Sequence, residues 1–577
     1  MNPVRGFYAF KAVFIEGVGA LLRAKIRRIR QRFLVSCQNC EETQQATLKR
    51  ILSLNQGSQL SKDYELSPRM TVSEFREKFP ISEYELFKPY IDRMRADNHA
   101  SLLGSKNQLL MFALSSGTTS ESKYVPITKP FLNDYRAGWR IWGIGAIDGH
   151  AGCDRGHIFQ ITSPQDRFRT ESGVPCGNIS GLVTAMQNRV LSRLYTLPAA
   201  VADIEDPEVK YYTVLRIALA DETITWITTA NPGTLVKLSG LLNQHATQLI
   251  EDIRSGTISV DIPAAQKQPL NKIISKRSPE RADFLENLLK EHGELVPKEC
   301  WPRLKLLAIW TGGSAGAYLP KIRTLFGDVP IRDHGLHASE GRMTIPLESG
   351  TSEGVLDIIS HFFEFIPEDQ AEDQAEEETP ETILAHELDE GKNYFILMTT
   401  VSGLYRYNIR DVVKCTGFEG TTPILKFLHK GAHISSITGE KVTESQVVDA
   451  VRDAASDLKV SVPQFVVVPV WGEPPGYRLL IESGEFDSPN TMDQLAIRVD
   501  ENLCQSNVEY REKRESDRLS PLAGQFVSNG TMGNLAKQRN QRKGGSMEQY
   551  KHPCLIADLE FIDQLPQIET LSTTSEN

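Results

Sequence analysis

Ala113-Leu-Ser-Ser-Gly-Thr-Thr-Ser-Glu-Ser-Lys-Tyr-Val-Pro-Ile-Thr128 is the stretch on which the reading of this chain turns. The apolar run 109–114 leading into it predicts a buried strand, after which Ser115, Ser116, Gly117, Thr118 and Thr119 turn the chain with small residues. Small hydroxyl residues around a glycine let backbone N–H groups and Oγ donors converge on one anionic group, and Lys123 adds a point charge. The guest this predicts is a phosphate. It is not a Walker loop, which has glycine directly before the lysine and Ser or Thr directly after it, whereas Ser122 and Tyr124 flank Lys123. A dinucleotide fingerprint fails for want of glycines. On this stretch alone an exposed surface turn fits as well, so other segments must decide.

With 577 residues the chain exceeds one core, and two or more domains are expected. Its composition, 40% hydrophobic and 24% charged, is that of a soluble globular protein. A net charge of -10 argues against a general nucleic-acid binder. Eight cysteines are scattered along the chain, and Cys37-Gln-Asn-Cys40 is the sole close pair. It lacks the second pair that a zinc site would need, and His334-Gly-Leu-His337 is no stronger. Scattered cysteines and no clear secretory signal lead us to expect a cytoplasmic protein.

The stretch 7–22 is fairly apolar and is followed by Arg23, Lys25, Arg27, Arg28, Arg30 and Arg32. Lys11 and Glu16 interrupt it, and it falls short of the roughly 20 apolar residues a membrane-spanning helix needs. Residues 1–40 are therefore expected to form an amphipathic helical segment, either packed on the body or making a peripheral membrane contact. From 40 to 110 the pattern is helical. Thr71 with Glu74, and Ser82 with Glu85, have capping-box spacing. Beyond 129, strand patterns at 156–162 and 223–228 alternate with a helical one at 233–255 and a charged one at 279–296, which points to an α/β body.

A strand at 304–310 runs into the glycine-rich turn Thr311-Gly-Gly-Ser-Ala-Gly316, the placement of a ligand-facing loop at the carboxyl end of a sheet strand. Farther on, small residues flank Ser339-Glu340. That carboxylate either holds Mg²⁺ beside a triphosphate or is merely solvated. The acidic run 368–390 reads as a solvated loop. Asp411 stands among strand-forming residues, where an acid is disfavoured. It marks a strand-end turn, an ion pair with Arg406 or Arg410, or a carboxylate that accepts two hydrogen bonds from a ribose diol.

Taken together, Ser115-Ser-Gly-Thr-Thr-Ser-Glu-Ser-Lys123, Ser339-Glu340, Phe363-Glu-Phe-Ile-Pro367 and Tyr405-Arg-Tyr-Asn-Ile-Arg-Asp411 resemble the Gretchen Hagen auxin-responsive family of acyl acid amido synthetases, within the acyl-adenylate-forming superfamily. The likeness continues through Thr438-Gly-Glu-Lys-Val-Thr-Glu444 and, in the tail, Asn507-Val-Glu-Tyr510, Arg514, Arg518-Leu519 and Gln549-Tyr-Lys-His-Pro553. It implies an α/β fold: a large adenylation domain with mixed β-sheets and flanking helices, at 41–428, and a smaller mobile α+β lid at 434–566. The hinge would fall at 427–433 and a disordered tail at 567–577.

The resemblance also implies an ATP-dependent, Mg²⁺-requiring ligase that activates a small carboxylic acid as acyl-AMP and passes it to an amine, an amino acid in the family's common usage; a monomer is expected. Ser115, Ser116, Gly117, Thr118, Thr119 and Lys123 would embrace the phosphates. Ser339 would lie at the α-phosphate, Glu340 at the metal, Asp411 at the ribose, with Arg406 beside the nucleotide. Lys551 on the lid would neutralise charge during adenylation. Four departures stand out: Leu336 where the family commonly has Tyr, Asn408 and Arg410 where it has Arg and Gly, and Glu121 in the phosphate loop. Because a fold can persist without its chemistry, a silent nucleotide-binding protein is the alternative of another class, and a coenzyme A thioester ligase the alternative within enzymes.

Overall fold

The computed structural model describes residues 23–115, 123–179 apart from 163 and 165, 181–182, 191–368, 381–430, 434–543 apart from 436, 439, 441, 473, 485–487, 516 and 517, and 552–565 apart from 560, 563 and 564. Residues 23–37 form a helix (α1) that buries Phe33 and Cys37, and Cys40–Leu54 (α2) follows. Val72–Lys78 (α3) opens on the expected box, in which Thr71 Oγ1 accepts from the Glu74 N–H and Glu74 accepts from the Thr71 N–H. Tyr84–Arg95 (α4) does not: Ser82 and Glu85 form no box, and the helix starts at Glu83 without a side-chain cap. Ser82 is engaged elsewhere, donating its N–H to Arg406 O and accepting from the Asn408 N–H.

The first-motif strands are Leu109–Ser115 (β1) and Lys123–Thr128 (β2), antiparallel with Ser115 opposite Lys123. Lys129–Gly149 (α5) leaves β2 through the cap Thr128, then come His157–Gln160 (β3), Phe168–Arg169 (β4) and Pro175–Gly177 (β5). The order β2-β1-β5-β4 makes one sheet. β3 opens a parallel sheet completed by Ile224–Thr229 (β6), Leu306–Ile309 (β7) and Ile331–Arg332 (β8), in the order β3-β6-β7-β8. The helical stretch expected over 233–255 is two helices, Pro232–Gln244 and Ala246–Ser255, broken at His245.

His337–Ala338 (β9) and Gly341–Arg342 (β10) form a hairpin. A seven-stranded antiparallel sheet follows, made of Thr344–Ile345 (β11), Glu353–Leu356 (β12), Phe362–Pro367 (β13), Ile383–Leu384 (β14), Asn393–Thr399 (β15), Tyr407–Glu419 (β16) and Thr422–Lys430 (β17). The acidic run thus ends in an edge strand, β14, which pairs with β13, and only its earlier part, 369–380, lies outside the described residues. Phe75, Phe79, Phe87, Phe362 and Tyr405 centre the core beneath this sheet. The parallel sheet has its own core, with Leu215, Ile227, Leu307 and Trp301.

Ile434–Ser435 (β18) and Val442–Thr443 (β19) lead into the smaller domain, where helix Glu444–Leu458 (α6) and helix Pro489–Ser506 (α7) cover Val466–Val470 (β20), Gly476–Glu482 (β21) and Ala523–Val527 (β22). This domain rests against the body: Gln464 Nε2 donates to Tyr318 Oη at 3.0 Å, and α6 packs on the turn Gly313–Tyr318. That turn is the glycine-rich one expected after β7. Gly313 sits at φ +57, and a Cβ there would come within 2.8 Å of Phe427 on β17, so glycine is required by close approach. The hinge residues 431–433 and the tail 567–577 lie outside the described residues.

Candidate functional site

Ser339 and Glu340 are the two turn residues of the β9–β10 hairpin. Glu340 is only 4% exposed, so the expectation of a freely solvated acid fails. The hairpin lies close on its support. A Cβ at Gly341 would stand 2.5 Å from His361 Nε2 and 2.8 Å from Met398 Cε, which leaves room for glycine alone. Two residues past Glu340, on the same face of the strand, Arg342 reaches back to the hairpin's roots. Its Nη1 donates to His334 O at 2.8 Å and to Thr344 O at 3.1 Å, and the Trp139 ring lies 4.2 Å from its Cζ.

Beneath Arg342 the polar groups are incompletely paired. Arg342 Nε and Nη2, Asp357 Oδ1 and His361 Nδ1 are buried and make no hydrogen bond. Burial pushes the Asp357 carboxyl up to about 7, against the pull of Ser360, Arg342 and Arg50, and with a push from Asp134. Burial likewise drives His361 down to about 3.

The third motif divides in two. Arg406, expected beside the nucleotide, is instead wholly engaged by the protein. Its Nε and Nη2 donate to the two carboxylate oxygens of Glu364, Nη1 donates to Arg76 O and Phe79 O, and Nη2 also donates to Thr382 Oγ1. All five guanidinium N–H groups are thereby used, so Arg406 leaves the nucleotide set and becomes the anchor of the motif. Beyond it, Asn408 Oδ1 accepts from the Arg410 N–H at 2.8 Å, and Arg410 forms a two-pronged ion pair with Glu83. Arg410 has φ +59. The backbone at that departure keeps a conformation that glycine adopts freely and arginine does not. Asp411 is 4% exposed and pairs across the sheet with Lys430.

Residues 82–84 join the motifs, and sequence reading gave them no part in the site, only a helix cap at Ser82. Ser82 bridges to Tyr407, Glu83 holds Arg410, and Tyr84 Oη accepts from the Tyr124 N–H at 2.8 Å while Lys123 Nζ lies 5.3 Å from the Tyr84 ring centre. Tyr407 registers the convergence. Its hydroxyl is raised well above the usual tyrosine value, by burial first and then by the charges of Glu340, Tyr84, Glu85 and Glu83. Glu340 and residues 83–85 thus lie near enough to act on the Tyr407 hydroxyl, and Tyr84 ties that neighbourhood to the first-motif strand.

Ser116, Gly117, Thr118, Thr119, Glu121 and Lys551 lie outside the described residues, and Ser115 is described in its backbone only. Leu336 is core, 5% exposed, with its N–H donated to Thr344 Oγ1. Aromatic surface near the hairpin comes instead from His337, Trp310 and Phe427, whose rings lie 6.1 and 5.7 Å apart in sequence of contact. The smaller domain's motif residues prove to be scaffolding. Glu440 is fully buried; burial alone would raise its carboxyl, but the Ile437 N–H, the Tyr477 hydroxyl and the Thr438 N–H hold it below the usual value. Asn507 Nδ2 donates to Glu440 O, and Tyr510 and Arg514 both donate to Asp500. The tail returns to the head of α6, where Glu444 Oε1 accepts from the Cys554 N–H at 2.7 Å.

Among the described residues no group of three His, Cys, Asp or Glu could cage a metal, so Cys37 and Cys40 have no third ligand there. Both thiols are raised by burial, to about 12 and about 11. A hard cation that takes one carboxylate and completes its shell with phosphate oxygens and water is a different case, and a nearly buried Glu340 at a turn suits it.

The chain matches the GH3 family N-terminal domain over residues 29–331, the GH3 family central domain over 354–430 and the GH3 family C-terminal domain over 445–560. It is similar to indole-3-acetic acid-amido synthetase GH3.4 of Arabidopsis thaliana, 26% identical over 545 residues that cover 90% of each chain. Indole-3-acetic acid-amido synthetase GH3.10 of the same plant is 26% identical over 569 residues, 92% of this chain and 94% of that one. Among solved structures, GH3.15 acyl acid amido synthetase superposes with a TM-score of 0.78 at 22% identity, covering 92% of this chain and 93% of that one. The same synthetase in complex with 2,4-DB gives 0.79 at 21% identity, covering 92% and 95%. These superpositions establish the fold.

Proposed function

The chain belongs to the GH3 family, and from that membership we propose that it is an ATP-dependent acyl acid amido synthetase that joins a small carboxylic acid to an amine, an amino acid, through an acyl-adenylate. The support is chemical and geometric. A carboxylate is a poor electrophile because its leaving group would be oxide. Attack by one carboxylate oxygen on the α-phosphorus of ATP forms an O–P bond, breaks the bond to the β-phosphate bridging oxygen and releases pyrophosphate. The amine nitrogen then bonds to the acyl carbon, the C–O bond to AMP breaks, and the amide forms with loss of the nitrogen's proton. No covalent nucleophile on the protein is needed.

The protein's part is to hold charge and exclude water. In this reading Ser115, Ser116, Gly117, Thr118, Thr119 and Lys123 bind the phosphates, Ser339 lies at the α-phosphate, and Asp411 accepts two ribose hydroxyls. Lys551 neutralises charge when the lid closes. Glu340 would hold Mg²⁺, which supplies neutralisation of phosphate charge. The observation that carries the proposal is the linkage of the first- and third-motif strands through residues 82–84, by Ser82 to Tyr407, Glu83 to Arg410 and Tyr84 to the Tyr124 N–H. We assign the protein to the cytoplasm on the strength of eight free cysteines.

The test is ATP–pyrophosphate exchange over a broad panel of carboxylic acids, followed by product analysis with amino acids or coenzyme A as acceptor. Acid-dependent exchange and an amide product are expected. Asp411→Ala should lower exchange about a hundredfold, since two hydrogen bonds to a carboxylate contribute roughly 3 kcal/mol. No exchange with any acid, or full exchange by Asp411→Ala, overturns the reading, and a thioester product overturns its second half.

A further inference from the structure

The face of α1 turned toward the end of α5 carries three arginines, Arg23, Arg27 and Arg30, spaced i, i+4 and i+7. Two of them meet acids. Arg23 pairs with Asp154 at 3.0 Å, and Arg27 grips both carboxylate oxygens of Asp148, so the helix is pinned in place. Arg30, one turn on, meets another cation instead. A Cβ built on Gly145 of α5 would lie 2.9 Å from Arg332 Nη2 and 3.7 Å from Arg30 Nε, so the two guanidinium groups adjoin over that glycine. Arg332 is 2% exposed; its Nη1 and Nη2 donate to Ser349 Oγ, Pro346 O and Leu347 O, while its buried Nε has no hydrogen-bond partner. Arg30 Nε is also buried without a partner, and no ion pair or hydrogen bond engages the rest of that side chain among the described residues. The nearby acids are Asp148, already taken by Arg27, and Glu348, which is exposed and forms no ion pair with Arg332.

Two adjoining cations with buried, unmatched donors are costly unless an anion completes them. Burial, and then the charge of Arg30, brings the Arg332 guanidinium down to about 10, the direction expected of a cation pressed against another. We propose that Arg30 and Arg332 bind a phosphate group between them, at the seam of α1, α5 and the turn 346–349. The class follows from charge and from oxygens. A phosphate group carries about −1.5 to −2 charges at neutral pH and three strong acceptor oxygens, which matches two guanidinium groups with unmatched N–H donors. A carboxylate brings one charge and leaves one cation uncompensated. Ser349 and His150, whose Nε2 lies 2.8 Å from Ser349 Oγ, supply further polar atoms at the edge of the seam. A free phosphate ion and a phosphate ester share this chemistry.

Equilibrium dialysis of the full chain against labelled inorganic phosphate, and separately against labelled glycerol phosphate, at fixed ionic strength tests this. Lys123→Ala serves as the background, so that phosphate held by the signature turn does not obscure the result. Saturable binding is expected in that background, and whichever probe binds more tightly tells a free ion from an ester. Adding Arg30→Gln should weaken binding on the order of tenfold or more, since a hydrogen-bonded charge is lost from the ligand. Because Arg30 makes no bond without the ligand, phosphate-free Arg30→Gln should melt no lower than the wild type. Absence of binding by both probes, loss of all binding in Lys123→Ala alone, undiminished binding after Arg30→Gln, or a lower melting temperature of that variant without phosphate overturns the proposal. The measurement needs no turnover, so its failure and that of the ligase reading are separate results.

Discussion

Two buried arginines, Arg406 and Arg342, support the same site in opposite ways. Arg406 is closed: every donor is matched, and Glu364, 1% exposed, takes hydrogen bonds on both oxygens from Arg406 and on one also from Arg76 and Thr382. Arg342 is open: it is as deeply buried, yet Nε and Nη2 lack partners and Asp357 nearby keeps an unpaired oxygen. A buried charge is tolerable when its geometry and hydrogen bonds are complete and costly when they are not. The closed nest belongs to the frame, and the open one, at the roots of the hairpin that carries Glu340, is where substitution should trade stability against activity.

The largest effect expected is from Arg406→Met, which strands Glu364 without its main partner. Denaturant unfolding should show a loss of about 3–5 kcal/mol. A loss under 1 kcal/mol would erase the distinction drawn here. Next comes pH. Asp357 has its folded value raised from 3.8 to about 7, so its contribution to stability is present below the unfolded value and is lost as pH rises through the folded one. Relative to Asp357→Asn, the wild-type protein should lose stability between about pH 4 and pH 7, with a limiting slope near 1.4 kcal/mol per unit. A difference that stays flat over that window would show that the carboxyl is not held in this way.

Arg342→Met ranks third. It gives up two hydrogen bonds to carbonyls and also relieves an incompletely paired buried charge, so a net loss of about 1–2 kcal/mol is expected. Because those bonds join the two roots of the hairpin that carries Glu340, pyrophosphate exchange should fall by more than stability does. The smallest effect concerns Arg410. Arg410→Gly removes left-handed strain of about 1 kcal/mol and an exposed ion pair of about 0.2–1 kcal/mol. The two nearly cancel, and a melting temperature within a degree or two of wild type is the expected outcome.

The frame was readable wherever a local pattern had no distant rival. Apolar runs placed β1, β3, β6 and β7, and Thr71 with Glu74 made its cap because nothing else claims either side chain. Ser82 with Glu85 has the same spacing and fails, since Ser82 is paired with a strand more than three hundred residues on. Arg406 was misassigned for the same reason. Its partner Glu364 sits on another strand of the sheet, and no spacing rule announces a pairing set by sheet order. The only local signal in residues 82–84 is the failed cap at Ser82, so the link between the first and third motifs became visible only in three dimensions. Asn507, Tyr510 and Arg514, which the sequence offers only as family likeness, brace the smaller domain.

The clamp between Glu83 and Arg410 also bears on how the protein is made. Its two ends are 327 residues apart in the chain. At ribosomal speeds the second end emerges on the order of tens of seconds after the first. For most of that interval Tyr84 and the β1–β2 pair are already synthesised and have nothing to face them. Any chain broken off before residue 407 would keep Glu83 and Tyr84 and lack the strand that carries Asp411.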